Sequence, residues 1–301
     1  MSFTGRVKDE LIESYYTPLE DNVLISGFLR SVATISSDIR VISENLNVLN
    51  YVKSIIFREY DVEAKINDTL KSNFKHSSYE FIIDSKIDIL KDKLMLDQEI
   101  KDYFIDSDDL KRAYLRGVFL AVGSVNDPKT SRYHLEFLLD SYSNSLFLCN
   151  LLNYFYLNAK VITREKGYMV YVKEAEKIGD FLRLLNCNRA VMYYEDIRIY
   201  RDHKNMTNRL NNCEQANVDK IISTCKRQLD DIDLIIEKLG MDFLDEKLQE
   251  VVIYRKKYPE SSLEELSEIM SIETEKSITK SGLNHRFRKL RELANKIKEE
   301  K

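Results

Sequence analysis

The sequence predicts an α+β fold: a duplicated two-sheet domain with a pseudo-twofold pair of central helices, then an all-α helix-turn-helix domain. Three observations predict it. A stretch of the first half recurs 90 positions later, and the same order of elements follows each copy. Each copy opens with a helix bearing a small residue at i and i+4. The last third has only helical periodicity and ends in a basic amphipathic helix.

The repeat aligns Ile25-Ser-Gly-Phe-Leu-Arg-Ser-Val-Ala33 with Leu115-Arg-Gly-Val-Phe-Leu-Ala-Val-Gly123. A β-prone run follows each: Asp38 to Ser43, and Tyr133 to Asp140, where His134, Glu136 and Leu138 alternate with Leu135, Phe137 and Leu139. Next come helices, Glu44 to Tyr60 and Ser141 to Tyr156. Two strands follow in each half, Val62 to Ile66 with Tyr79 to Asp84, and Ala159 to Arg164 with Tyr168 to Lys173. A helix closes each half, Lys86 to Leu96 and Glu174 to Asn186. The unit is α-β-α-β-β-α, twice. Small residues four apart leave a shallow groove where two backbones approach closely. The opening helices are therefore expected to pair at Gly27, Ser31, Gly117 and Ala121.

The chain has 301 residues, enough for two domains, and its 44% hydrophobic and 32% charged content is that of a globular protein. Only 3 Pro and 8 Gly favour helix. Met1 to Ser14 has no apolar signal core, and no run is long enough to span a bilayer. A cytoplasmic, nucleoid-associated protein is expected. Cys149, Cys187, Cys213 and Cys225 lie far apart and read as reduced thiols, mostly buried. Among His76, His134, His203 and His285, only His134 has a ligand-like neighbour, Glu136. No second pair follows, so neither metal nor cofactor is expected.

At the C-terminus, Asp245 to Tyr254 reads as a helix with Leu248, Val251, Val252 and Arg255 along it. Pro259 stops it, and Ser261 or Ser262 caps a short helix with Glu264 and Glu265 in its first turn. After a polar segment, Leu283, Phe287, Leu290, Ala294 and Ile297 form one stripe at about 100° per residue. Ser281, His285, Arg288, Lys289 and Lys296 fall opposite, with Asn284 and Arg286 on the flanks. From Lys280 on, Lys280, Arg286, Arg288, Lys289, Arg291, Lys296, Lys298 and Lys301 face only Glu292, Glu299 and Glu300, although the whole chain has a net charge of −4. Such a face suits a DNA major groove, because Arg and Lys neutralise phosphates and reach guanine, and Asn pairs with adenine. A solvated basic helix at a chain end is the bland alternative. Ser281, Asn284, His285 and Arg288 are the candidates for base edges. Lys280, Gly282, Arg286, Lys289 and Lys296 are the candidates for phosphates, Gly282 because a bare backbone near a helix start approaches an anion.

Between the domains, Ala190 to Tyr200 leans towards helix. Arg198, Arg201, Lys204 and Arg209 form an auxiliary basic cluster. It either touches DNA phosphates or pairs with Glu195, Asp196 and Asp202. A long helix is expected from Ala216 to Leu239, ended by Gly240. The expected division is 1–203 (repeats about 1–100 and 101–190), a linker and helix over 204–240, and a helix-turn-helix over 241–301.

The paired opening helices resemble those of the LAGLIDADG homing endonucleases, where an acidic residue near each helix end helps hold a catalytic metal. The motif's two acidic positions fall here on Arg30 and Val32, and on Leu120 and Val122. None offers the oxygen ligand that Mg²⁺ needs, and Asp127 and Glu136 lie beyond the helix. The whole chain resembles the WhiA family, bacterial regulators of sporulation and cell division. The resemblance lies in Leu115 to Pro128, Tyr133 to Glu136, Asn208-Arg-Leu-Asn-Asn-Cys-Glu-Gln-Ala-Asn217, Pro259 to Leu266 and Lys280-Ser-Gly-Leu-Asn-His-Arg286. The segment Ser271 to Thr279 looks several residues longer than that family's usual turn.

The expected function is sequence-specific binding of double-stranded DNA, without enzymatic activity and with no catalytic residue. A transcriptional role in cell division and chromosome segregation is what the resemblance implies. One rival is a protein- or ligand-binding regulatory module with auxiliary DNA binding, for which another regulatory protein is the partner. The other is an active homing endonuclease. Oligomeric state stays open.

Overall fold

The computed structural model describes residues 2–69 and 78–299. His76, Glu300 and Lys301 lie outside the described residues. Contacts divide the chain into two units, Met1–Asp202 and His203–Lys301.

In the first unit, α1 (Phe3–Ile12) precedes the repeats. Ser2 caps it, and Phe3, Val7 and Leu11 bury its inner face. The first repeat is α2 (Pro18–Val32), β1 (Thr34–Ile35), β2 (Ile39–Ser43), α3 (Leu46–Tyr60), β3 (Ala64–Thr69), β4 (Ser78–Ile83) and α4 (Ile87–Lys93). The second is α5 (Asp108–Val122), β5 (Gly123–Val125), β6 (Leu135–Leu139), α6 (Tyr142–Tyr154), β7 (Lys160–Arg164), β8 (Gly167–Val172) and α7 (Ala175–Leu184). Both sheets are antiparallel with matching orders, β1-β2-β4-β3 and β5-β6-β8-β7. Each strand pattern buries one face: Ile39 and Val41 point inward in β2, and Leu135, Phe137 and Leu139 in β6.

Two features depart from the sequence reading. Each sheet gains a short leading strand, β1 or β5, directly after its opening helix. At two and three residues these are too short to show a period. The helix α1 was not foreseen, because its polar residues blur the stripe.

The opening helices cross at the two repeated glycines. A Cβ on Gly117 would stand 1.9 Å from the Leu24 carbonyl oxygen, and one on Gly27 would stand 2.5 Å from that of Tyr114. Ser31, further along α2, turns its hydroxyl back to the Gly27 carbonyl at 2.7 Å, and Ser31 and Ala121 are half-buried.

Helix α1 closes the end of α5. Thr4 Oγ1 accepts from Val125 N and donates to Val125 O, both at 2.9 Å, and Lys8 Nζ donates to Leu120 O at 2.9 Å. A cation among the last carbonyls of a helix is well placed, but burial pulls the Lys8 pKa from 10.5 to about 8. The folded value lies below the unfolded one. Between about pH 8 and pH 10 the unfolded chain therefore holds the extra proton, and stability rises with pH. Urea unfolding should show that rise, on the order of 1–3 kcal/mol, and Lys8→Met should flatten it. An unchanged slope in the variant would assign the rise elsewhere.

Helix α8 (Asn188–Leu239) spans 52 residues and starts well before the expected Ala216. Its first amides, on Arg189 and Ala190, donate to the Glu10 carboxylate at 2.7 and 3.0 Å. From 202 to 220 every residue is exposed, so no apolar stripe marks this part in the sequence. The segment expected as a linker joins the second unit, where Ile232 and Ile235 are buried in the core. Cys149, Cys187 and Cys225 are buried, Cys213 is exposed, and all four are free thiols. Among the described residues no helix is long and apolar enough to cross a membrane.

Candidate nucleic-acid interface

The second unit is built from the C-terminal part of α8 and three helices, α9 (Glu246–Lys257), α10 (Leu263–Thr274) and α11 (Lys280–Glu299). Asp245 caps α9. Of the two expected caps for α10 it is Ser262 that serves, in a reciprocal capping box with Glu265. Leu283, Phe287, Leu290 and Ala294 bury one face of α11 with Leu248, Val251, Val252, Leu266 and Met270.

The long turn read over Ser271 to Thr279 is corrected. Ser271 to Thr274 continue α10, so only Glu275 to Thr279 connect the two helices. Glu275 takes a left-handed conformation, φ 51°, that breaks the helix. Ser271 Oγ accepts from Ile278 N at 3.0 Å, and Thr279 Oγ1 accepts from Gly282 N at 3.1 Å. The turn is thus fastened at both ends.

On α11, Ser281, Asn284, His285, Arg288, Lys289 and Lys296 are exposed. Arg288 Nη2 lies 3.1 Å from His285 Nδ1. The Arg can only donate, so Nδ1 accepts and Nε2–H is left as a free donor pointing away from that pair. Lys280 is exposed but pairs with Glu264 at 2.9 Å, and that ammonium holds the Glu264 carboxyl below its usual range. Gly282 is half-buried. Arg286, expected on a phosphate, is instead half-buried against Glu250 at 3.3 Å, which also meets Lys276.

The auxiliary cluster divides in the same way. Arg198 donates to Glu195 at 2.7 Å. Arg201 donates to the carbonyls of Pro128 and Ser131 at 2.6 and 2.8 Å, and its guanidinium lies 4.8 Å from the centre of the Tyr133 ring. Arg198 thus takes the pairing alternative with Glu195, and Arg201 braces the first unit through backbone carbonyls. Lys204 and Arg209 are exposed on α8.

At the ends of the central helices stand Arg30, Val32, Leu120 and Val122. Arg30 is spent on the carbonyls of Met95 and, at 2.7 Å, Gln98. Asp127 accepts from the Tyr193 hydroxyl at 3.0 Å, and Glu136 meets His134 at 3.0 Å. Among the described residues no three His, Cys, Asp or Glu side chains are grouped to share a metal ion.

Two family models match this chain. The WhiA LAGLIDADG-like domain covers residues 111–204 and the WhiA C-terminal HTH domain covers residues 207–294. A probable cell division protein WhiA of Ligilactobacillus salivarius is 40% identical over 312 residues, spanning 99% of this chain and 98% of that protein. The chain belongs to the WhiA family. A probable cell division protein WhiA of Staphylococcus aureus is 38% identical over the same spans. The crystal structure of full-length DUF199/WhiA from Thermatoga maritima is similar with a TM-score of 0.59 and 22% identity, covering 98% of each chain. That likeness is one of fold. Within the WhiA fold, the sequence reading gives Arg291 on α11 no contact beyond its place in the basic run, and does not single out Arg227 on α8. They face a common groove that only the packing of these two helices creates.

Proposed function

We propose that this chain is a sequence-specific DNA-binding transcriptional regulator acting in cell division and chromosome segregation, with a nuclease scaffold that has lost its chemistry. The observation that supports it is the exposed ridge of α11, with Ser281, His285 and Lys289 set opposite the buried Leu283, Phe287 and Leu290. The ridge occupies the last helix of a helix-turn-helix, the one that enters a major groove. Ser281, Asn284, His285 and Arg288 read base edges in this account. Lys280, Gly282, Lys289 and Lys296 set the register on phosphates. Arg286 keeps a share in that role only if it leaves Glu250.

Arg288→Ala is expected to relax sequence preference at one base pair by about 1–3 kcal/mol. Lys289→Ala is expected to weaken binding to every sequence and lower the salt slope by about one. Selection of bound genomic fragments, followed by titration over a salt series, checks both. If both variants bind as the parent does, α11 is not the recognition helix. Because Val32 and Val122 stand where the scaffold needs oxygen ligands, plasmid DNA with Mg²⁺ should stay intact. Nicking by the purified chain would contradict the loss of chemistry.

A second role for the first unit has its own support. The outer faces of its sheets expose Ile42 and Leu138 and carry Glu80 and Glu136. Both carboxylates have partners, Glu80 meeting Arg40 at 3.5 Å and Glu136 meeting His134 at 3.0 Å, so it is the exposed Ile42 and Leu138 that suit a regulatory protein.

A further inference from the structure

We propose that the groove between α8 and α11 is a DNA phosphate site in which Arg227 and Arg291 clamp one backbone phosphate. The inference rests on the reading of α11 as the recognition helix and extends it to α8. The groove lies wholly within the second unit and encloses about 210 Å³. Thr224, Arg227 and Gln228 of α8 line one wall, and Asn284, Arg288 and Arg291 of α11 line the other.

The charge in the groove is positive. Among the described residues its one carboxylate, Asp231, is nearly buried and held by Lys298 at 2.8 Å. Arg288 is shared with His285 at 3.1 Å and reaches Glu292 only at 3.9 Å. Among the described residues neither Arg227 nor Arg291 is paired with a carboxylate, and both are exposed. Two planar guanidiniums across a narrow groove can each give paired hydrogen bonds to phosphate oxygens. Gln228 Oε1 is shielded from water with no donor. A half-turn of that amide offers N–H donors in its place.

The opposite flank of α11 is different. There Arg286 is neutralised by Glu250. A helix lying in a major groove has a phosphate strand on either side, and contacts to it fix the register. Among the described residues only the α8 flank keeps guanidiniums without a carboxylate partner, so α8 supplies the grip on that strand.

The test uses the full chain and a short random-sequence duplex, with Kd measured by fluorescence anisotropy over a salt series. Random DNA suffices because phosphate contacts are blind to sequence. Arg227→Ala and Arg291→Ala are each expected to weaken binding several-fold. The double variant should lower the salt slope by about one rather than two, because the two side chains share one phosphate. Arg227→Lys should restore most of the slope. Lys226→Ala is the control. It neighbours Arg227 but lines a separate groove with Val218 and Glu265, and its slope should match the parent's. Unfolding midpoints of all variants should agree, as the substituted side chains are exposed.

If the double variant keeps the parent slope while Lys289→Ala lowers it, the groove is not a phosphate site and the recognition helix stands. In that case loss of a protein partner in the double variant would mark the groove as an acidic-peptide site instead. If the parent itself shows no salt-dependent DNA binding, the reading of α11 fails and takes this inference with it.

Discussion

Gly117→Ala is expected to destabilise the first unit by about 3 kcal/mol or more. Local propensity alone would favour the change, since Ala in a helix interior beats Gly by about 0.5–1 kcal/mol. Packing reverses the sign. The added Cβ would stand 1.9 Å from Leu24 O and 2.9 Å from Phe28 N. Both are backbone atoms of the facing helix, so no rotamer change relieves the overlap. The helices must move apart, and they are pinned. Ser26 Oγ donates to Leu94 O at 2.7 Å, and the buried Arg116 meets Glu20 at 3.2 Å. Separation would also open the core, where Phe28 and Phe119 are buried. Gly27→Ala meets Tyr114 O at 2.5 Å and should cost less, about 1–3 kcal/mol. One separation of the helices accommodates both methyl groups, so the double variant should cost less than the sum. Urea unfolding, with hydrogen exchange to locate the loss in the first unit, checks this. A Gly117→Ala chain unfolding at the parent's midpoint would show that the helices do not meet there.

The same glycines explain why so much of the first unit was legible from sequence. A repeat compares the chain with itself, so a weak pattern gains weight when it occurs twice. The β-prone run at Asp38 to Ser43 and the alternation over Tyr133 to Asp140 mark strands, and β2 and β6 lie inside them. What stayed hidden had no period to read. β1 and β5 are too short, and the exposed residues 202–220 of α8 have no buried side to advertise a helix.

At the candidate site, the stripe of α11 fixed which residues face outward, because helical geometry converts spacing into direction. It could not say which outward charges are already spent. Arg286, Arg198 and Arg201 each meet a partner 3 or more residues distant, at Glu250, Glu195 and the carbonyl of Pro128. Nor could it bring Arg227 to Arg291, since that groove exists only once α8 packs on α11. Charge is written in the sequence, and its neutralisation is decided by tertiary contact.

Arg255 is the clearest case, and Arg255→Ala is expected to cost the second unit about 2–5 kcal/mol through lost hydrogen bonds and a cavity. The sequence placed it on the inward stripe of α9, beside Leu248 and Val252. There it is 1% exposed, and among the described residues no carboxylate pairs with it. Burial presses its pKa downward. Its partners are neutral: Ser261 O at 2.6 Å, Tyr258 O at 3.3 Å and Cys225 Sγ at 3.4 Å, with the Phe287 ring centre 5.2 Å away. One side chain thus ties α8, the connection before the Ser262 cap, and α11. Truncation takes the guanidinium donor from the Tyr258 carbonyl, worth about 1–3 kcal/mol, leaves Ser261 O with only the weak Cys225 thiol at 3.3 Å, and opens a cavity beside Phe287. Arg255→Met should recover part of the loss by refilling the cavity, without restoring the carbonyl bonds. Arg255→Lys should fall short of the parent, because a single ammonium lacks the planar fork. The expected readout is a lower unfolding midpoint for the second unit with the first unit unmoved, and DNA affinity that falls with the population of folded second unit. If Arg255→Ala leaves that transition within about 1 kcal/mol of the parent, the buried guanidinium is not what holds α11 in place. The hydrophobic contacts of Phe287 and Leu290 must then suffice alone.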